Sequence, residues 1–250
     1  MSFFKVGKHE KRKNVSDKVK NRKHENEEKT THDKYKVEFI KEDRSRAIVA
    51  EAYKTLRTNI QYSSLCKEIK TIVITSAEMA EGKSTVAKNI ALSFSQSEKK
   101  VILIDCDLRK PSVHISFKTS NSVGISEVLI GKATVEESVQ LYKDRFYFLT
   151  SGKTPSNPSE ILASAEMTNL IERLKDEYDI IILDTAPLNI VTDAQILATK
   201  VDGTILVVKA TITKKQSVIE AKNLLNKVGA NIIGTVLYSV ENTKGKKYYY

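Results

Sequence analysis

Apolar residues along this chain gather in short runs separated by longer amphipathic stretches. Ile72, Val73 and Ile74 form one run. Others lie at 101–104, 180–183 and 203–208, and a last strand is expected within 230–240. These runs are rich in Ile and Val and too short for helices, which suits parallel strands covered on both faces. Between them the spacing turns helical. Over 46–62, Ile48, Ala52, Leu56 and Ile60 fall near one face, and over 83–96 so do Val86, Ile90, Ala91 and Phe94. Further helices are expected at 124–130 and 134–141 around Gly131, from Ser159 to about Glu177, from Asp193, and over 214–228, with a short strand at 146–149. Strands alternating with helices predict a doubly wound α/β fold on a mainly parallel sheet.

The pattern fails at both ends. Residues 1–42 are mostly Lys, Arg, Glu, Asn, Thr and His with scattered apolar positions. Such a segment cannot bury enough surface to offset its ordering entropy, so a disordered basic tail is expected there. The folded domain is expected over 43–240. Residues 241–250 form a flexible tail with turn formers, lysines and the cluster Tyr248, Tyr249 and Tyr250.

One stretch carries recognisable chemistry. TIVITSAEMAEGKST reads as strand, phosphate loop and helix, the layout of a P-loop NTPase. Ala77, Glu78, Met79, Ala80, Glu81, Gly82, Lys83, Ser84 and Thr85 are the candidate ATP-binding residues. Backbone N–H groups and the helix dipole there favour phosphate. Lys83 is placed to reach the terminal phosphates, and Ser84 to ligate Mg²⁺. Ala77 stands where such loops usually open with Gly, and Met79-Ala80 fills a place where many carry Gly and Pro. Alanine costs little at negative φ but is strained at positive φ.

Two further runs end on acids. VILIDCDLRKP places Asp105 and Asp107 just past a strand, followed by Arg109 and Pro111; IIILDTAP places Asp184 at another strand exit. If the first of these strands is a parallel neighbour of the phosphate-loop strand, its carboxylates face the same crevice. One acid is expected to hold Mg²⁺ through water and another to orient or accept a hydroxyl proton. Asp193 reads equally as a helix-start acid favoured by the dipole. The loop 151–159, stiffened by Pro155 and Pro158, is expected to line the pocket, with Ser159 capping the helix after it.

The formal net charge of +10 invites nucleic acid or an anionic membrane surface as partners. No aromatic–basic repeat supports single-strand binding, so nucleic acid is not expected. Cys66 and Cys106 lack metal-ligand spacing and read as free thiols of a reducing compartment. No apolar run reaches the ~20 residues of a transmembrane helix, and the first residues lack a signal-peptide core, so a cytoplasmic protein is expected.

With these residues together, the chain resembles the bacterial tyrosine kinases of capsule and exopolysaccharide assembly. SAEMAEGKST, VILIDCDLRKP, IIILDTAP, the loop PSNPSEIL and the tyrosine cluster carry the resemblance, from about Ala47 to Tyr250. It implies ATP-dependent, Mg²⁺-assisted phosphorylation of tyrosine, with Lys83, Asp105 and Asp107 catalytic and Ser84, Asp105 and Asp184 around the metal. Which acid serves as base stays open. It also implies that Tyr248, Tyr249 and Tyr250 of one subunit are acceptors in a neighbour's site within a ring. Glu51, Lys54 and Arg57, a charged stripe at helical spacing, match the family's Glu-x-x-Arg-x-x-Arg ring contact, with Lys for Arg in the middle. Further partners implied are a membrane-embedded polysaccharide co-polymerase, which activates the kinase at the inner face of the plasma membrane, and a cognate tyrosine phosphatase. Two other readings are a partition-type ATPase switch and a weakly active nucleotide-binding scaffold. Against the first, Glu78 occupies the place where partition ATPases carry an additional lysine.

Overall fold

Residues 3–6, 44–63 and 68–239 are described by the computed structural model. Their strands are β1 (Phe3–Val6), β2 (Thr71–Ser76), β3 (Val101–Asp105), β4 (Gln140–Lys143), β5 (Phe146–Leu149), β6 (Ile180–Asp184), β7 (Gly203–Lys209) and β8 (Ile232–Tyr238). They form one sheet in the order β1-β8-β7-β2-β6-β3-β5-β4. Every neighbouring pair is parallel except β4 with β5.

Side chains alternate across a strand, so each central run feeds two cores. On one face, Ile72, Ile74, Leu103 and Ile182 meet helices α1 (Arg44–Gln61) and α2 (Lys83–Ser95) through Tyr53, Leu56, Ile60, Val86, Ile90 and Phe94. On the other, Val73, Ile102, Ile104, Ile181 and Leu183 meet Leu162 of α6 (Pro158–Ala163) and Met167, Leu170, Ile171 and Leu174 of α7 (Ala165–Glu177). Small residues Ala194 and Ala198 of α8 (Asp193–Ala198), with Ala221 and Leu225 of α9 (Lys215–Lys227), pack near Leu206. Each central strand is therefore buried along its whole length, which is why its sequence is continuously apolar.

Several expectations change in detail. In α1 the buried face runs through Tyr53, Leu56 and Ile60 with Val49 and Ala52 beside it, and Ile48 is 63% exposed. The helical reading of 134–141 covers only α5 (Val135–Ser138); Gln140 and Leu141 instead begin β4, the antiparallel edge strand. Residues 113–117, for which no helix is expected from the pattern, form the short α3 (Val113–Phe117), while 124–130 holds α4 (Ile125–Leu129). The long helix after Ser159 is broken at Ser164, which accepts from Met167 N and caps α7. Phe3–Val6, placed by composition in a disordered tail, is strand β1: the outer edge of β8 offers unpaired backbone groups that a passing chain can satisfy. The rest of the tail and residues 240–250 lie outside the described residues, as does Cys66; Cys106 is a buried free thiol.

Candidate active site

The phosphate loop spans Ala77 to Gly82 between β2 and α2. Gly82, at the N-cap, adopts φ 92°, and a Cβ there would stand 2.5 Å from the ring of Tyr238 at the end of β8. Glycine is required both by its left-handed backbone and by that close approach. Ala80 also lies in the left-handed region, at φ 59°, so the alanine is strained where the loop geometry favours glycine. Met79 beside it is 58% exposed. The loop is braced from within. Glu81 is buried, accepts from Glu78 N at 3.0 Å and accepts a hydrogen bond from the hydroxyl of Thr213, beyond β7. Burial pushes its carboxyl up, against those two hydrogen bonds. Asn189, after β6, donates to Glu78 Oε1 at 3.3 Å and to Ser217 O at 3.1 Å.

Three acids converge on Lys83. Its Nζ donates to Asp107 Oδ2 at 2.8 Å and stands 4.0 Å from Asp184 Oδ1. Burial alone would lower the Lys83 ammonium, but Asp184, Asp107 and Asp105 outweigh it and hold it above its ordinary value. The strand of Asp105 is not the neighbour of the phosphate-loop strand, as the crevice argument had supposed. β6 lies between them, so Asp184 is paired in register with Ile74 on one side and Asp105 on the other. All three acids still reach one crevice, because the strands are parallel and end at the same level.

Their surroundings differ. Asp105, wholly buried, accepts from Ser112 N and Val113 N at 2.9 Å each through Oδ2, and from Asp107 N at 3.3 Å through Oδ1. Burial and then the charge of Asp184 push it up to about 7, against those N–H groups. Asp184 is equally buried, yet neither of its oxygens receives a hydrogen bond of good geometry. Burial raises its carboxyl, while Lys83 first and the nearby Ser84 hydroxyl second favour the charged form. A buried carboxylate with two unbonded oxygens beside a serine hydroxyl is a donor set suited to a hard cation. Among the described residues no three His, Cys, Asp or Glu side chains close on a point as a preformed metal cage.

Some positions play parts the sequence did not announce. Asp193 does start α8, but its carboxylate is wholly buried and clamps Arg109: Nε donates to Oδ2 at 2.9 Å and Nη2 to Oδ1 at 3.3 Å. Ser159 does not cap α6, whose N-cap is Asn157; its hydroxyl donates to Asp193 Oδ1 at 2.6 Å and accepts from Arg109 Nη2 at 2.9 Å. This cluster joins the loops after β3, β5 and β6. On α1, Glu51 and Lys54 form an exposed ion pair at 3.1 Å, whereas Arg57 leaves the stripe and donates to Ser93 O of α2 at 2.5 Å. Lys88, inside α2, is wholly buried. Its one visible signal was a charged residue within the helix's apolar pattern. Tyr248, Tyr249 and Tyr250 lie outside the described residues.

Comparison with known proteins bears on the family and the fold. A family model described as an AAA domain matches residues 69–232. The tyrosine-protein kinase YwqD of Bacillus subtilis is 40% identical over 206 residues, 82% of this chain and 87% of that protein. The kinase domain of the Escherichia coli tyrosine kinase ETK superposes with a TM-score of 0.75 at 34% identity, covering 81% of this chain and 80% of that one. The chimerical protein CapA2B2 gives a TM-score of 0.76 at 33% identity, over 79% and 88% of the two chains.

Proposed function

This chain belongs to the bacterial tyrosine-protein kinases, and from that premise we propose that the crevice at the ends of β2, β3 and β6 binds Mg-ATP and delivers its γ-phosphoryl group to Tyr248, Tyr249 and Tyr250 of a neighbouring copy. The observation that carries this reading is the Lys83 ammonium held among Asp105, Asp107 and Asp184, with the Asp184 oxygens unbonded. Phosphoryl transfer asks for positioning and charge neutralisation more than covalent help, and this set offers both.

In the proposed sequence Lys83 exchanges Asp107 for the terminal phosphate oxygens. Ser84, Asp105 and Asp184 are the residues that would hold Mg²⁺, and the bound ion would neutralise charge on the phosphate oxygens. Leaving Lys83 frees Asp107 Oδ2. Both Asp105 oxygens accept backbone N–H groups, whereas on Asp107 only Oδ1 does, from Lys110 N at 3.0 Å, so Asp107 Oδ2 is assigned as base. As the tyrosine oxygen–phosphorus bond forms and the bond to ADP breaks, the phenol proton passes to Asp107. A phenol with a pKa of about 10 is a weak nucleophile until that proton is taken, and tethering it in an assembly raises its effective concentration.

Around this core the reading adds a ring of copies contacting through α1, in which Glu51 and Lys54 are exposed for a partner while Arg57 first has to leave Ser93 O. It adds a membrane-bound activator of polysaccharide assembly at the cytoplasmic face, and a phosphatase that resets the tyrosines. Among the described residues no helix is long and apolar enough to cross a membrane. Glu78, tied to Asn189, stands where the partition-type switch would carry its lysine.

Incubating the full chain with Mg-ATP, with and without an activator segment, tests the reading. Mass spectrometry is expected to find phosphotyrosine at 248–250, lost at least ~100-fold in Lys83→Met. ATP hydrolysis without tyrosine labelling in either condition would sink the kinase assignment of this site. No nucleotide binding would leave only a scaffold.

A further inference from the structure

Lys88 lies five residues beyond Lys83 on α2, and its side chain is wholly buried. Its Nζ donates to Ser116 Oγ of α3, a neutral hydroxyl that itself donates to Ser112 O at 3.0 Å. Among the described residues Lys88 forms no ion pair. An ammonium with three donors, taken out of water and given one neutral partner, is costly to keep. The charges facing it come from three elements: Asp184 at the end of β6, Asp105 at the end of β3, and Lys83 on its own helix. The two carboxylates draw it toward the charged form and Lys83 opposes; burial outweighs them and brings it down to about 8. Asp184 in turn feels Lys88 as a favourable charge. The α3 segment that Lys88 grips also supplies both N–H groups on Asp105 Oδ2.

From this geometry we infer that Lys88 is a positioning residue for the phosphoryl-transfer site: a buried internal counter-charge, on the helix of Lys83 and tied to the segment that holds Asp105, that sets how the crevice divides its affinity between nucleotide and divalent cation. The inference rests on the nucleotide-site reading above. In a crevice where three carboxylates surround Lys83, a second, buried cation keeps the site receptive to the anionic nucleotide. The same charge restrains Mg²⁺ from binding too tightly to the acids. A local tether between α2 and α3 would do neither.

The two roles separate experimentally, because an internal charge acts on anion and cation with opposite signs. Lys88→Gln, one atom shorter, keeps an N–H donor on the side of Ser116 but removes the charge; Lys88→Met removes both charge and donor. Binding of a fluorescent ATP analogue is measured by anisotropy in EDTA and again during a Mg²⁺ titration, with thermal melting alongside. In both variants metal-free affinity is expected to fall roughly five- to tenfold, and the Mg²⁺ concentration at half effect to fall by a similar factor. Melting of Lys88→Met is expected to be unchanged or higher, since an isosteric apolar group replaces a buried charge. Ser116→Ala, which keeps the charge, is expected to leave both binding constants within twofold of wild type. Nucleotide and Mg²⁺ affinities moving in the same direction, or not moving in folded Lys88→Gln, would overturn the proposal. Wild-type protein that bound no nucleotide would overturn the nucleotide-site reading and the role of Lys88 with it.

Discussion

At the residue scale the phosphate loop carries its own strain. Ala80 is held at φ 59°, a conformation that costs an L-residue about 1–2 kcal/mol, part of which glycine would lose again in the unfolded chain. Ala80→Gly is therefore expected to stabilise the protein by about 0.5–1 kcal/mol in urea denaturation. Gly82→Ala is the converse: positive φ and a Cβ against the Tyr238 ring, with an expected loss of about 2 kcal/mol and weaker nucleotide binding by calorimetry. Asp105 gives the ligand-free protein a signed pH dependence. Its native value, about 7, lies above the unfolded 3.8, so between those values the native state holds more protons. Its contribution to stability is therefore lost as pH rises from roughly 4 to 7, and melting followed across that window is expected to show the fall, reduced in Asp105→Asn. The residues of this site were legible as types and spacings. Their division of labour was not: Asp107 is taken by Lys83 at the start of α2, while Asp105 is held by the Ser112 and Val113 N–H groups at the start of a helix, α3, that the apolar pattern did not announce.

At the element scale, the segments after β3, β5 and β6 share the packing of Leu108, Leu162 and Leu197, and the Arg109–Asp193–Ser159 cluster adds polar ties between them. Asp193→Ala removes a buried carboxylate and releases a guanidinium that is partly exposed and can find water. The expected cost is about 1–3 kcal/mol, below that of breaking a fully buried pair, with a larger fall in kcat than in ATP affinity because Asp107 lies two residues from Arg109. Ser159→Ala is expected to cost less than half as much by the same denaturation assay, since the bidentate contact survives it. Helix α1 shows why a repeat of charges does not by itself make a face. Glu51 and Lys54 stay on the surface, while Arg57, one turn on, reaches the Ser93 carbonyl on the neighbouring helix. Ser164 similarly divides what periodicity reads as one helix, because a serine hydroxyl that accepts from Met167 N satisfies the start of a new one.

At the scale of the whole molecule the sheet has two kinds of edge. β4 is short, antiparallel and exposed; the other edge, β8, is covered by β1. Deleting residues 1–6 leaves the backbone groups of β8 unpaired, and the expected outcome is concentration-dependent association, detected by light scattering, with the melting temperature little changed. The strand lies outside the nucleotide crevice, so ATP-analogue binding is expected to persist within about twofold.

What the sequence determined by itself is local: which runs are strands, where the phosphate loop turns into a helix, and that Asp105, Asp107 and Asp184 leave strand ends. Each follows from period, from backbone propensity, or from the few residue types a phosphate loop tolerates. What only the tertiary structure decided depends on neighbours far apart along the chain. β6 inserts between β2 and β3, and thereby sets Asp184 beside both the loop and Asp105. Ala80 takes its positive φ, and Lys88 its burial against Ser116. Strand order is a choice among pairings of similar apolar runs, and no single run states its partner. The charges at the crevice inherit their roles from that choice, because burial and proximity, not residue type, set which carboxylate is satisfied, which is paired and which is left open.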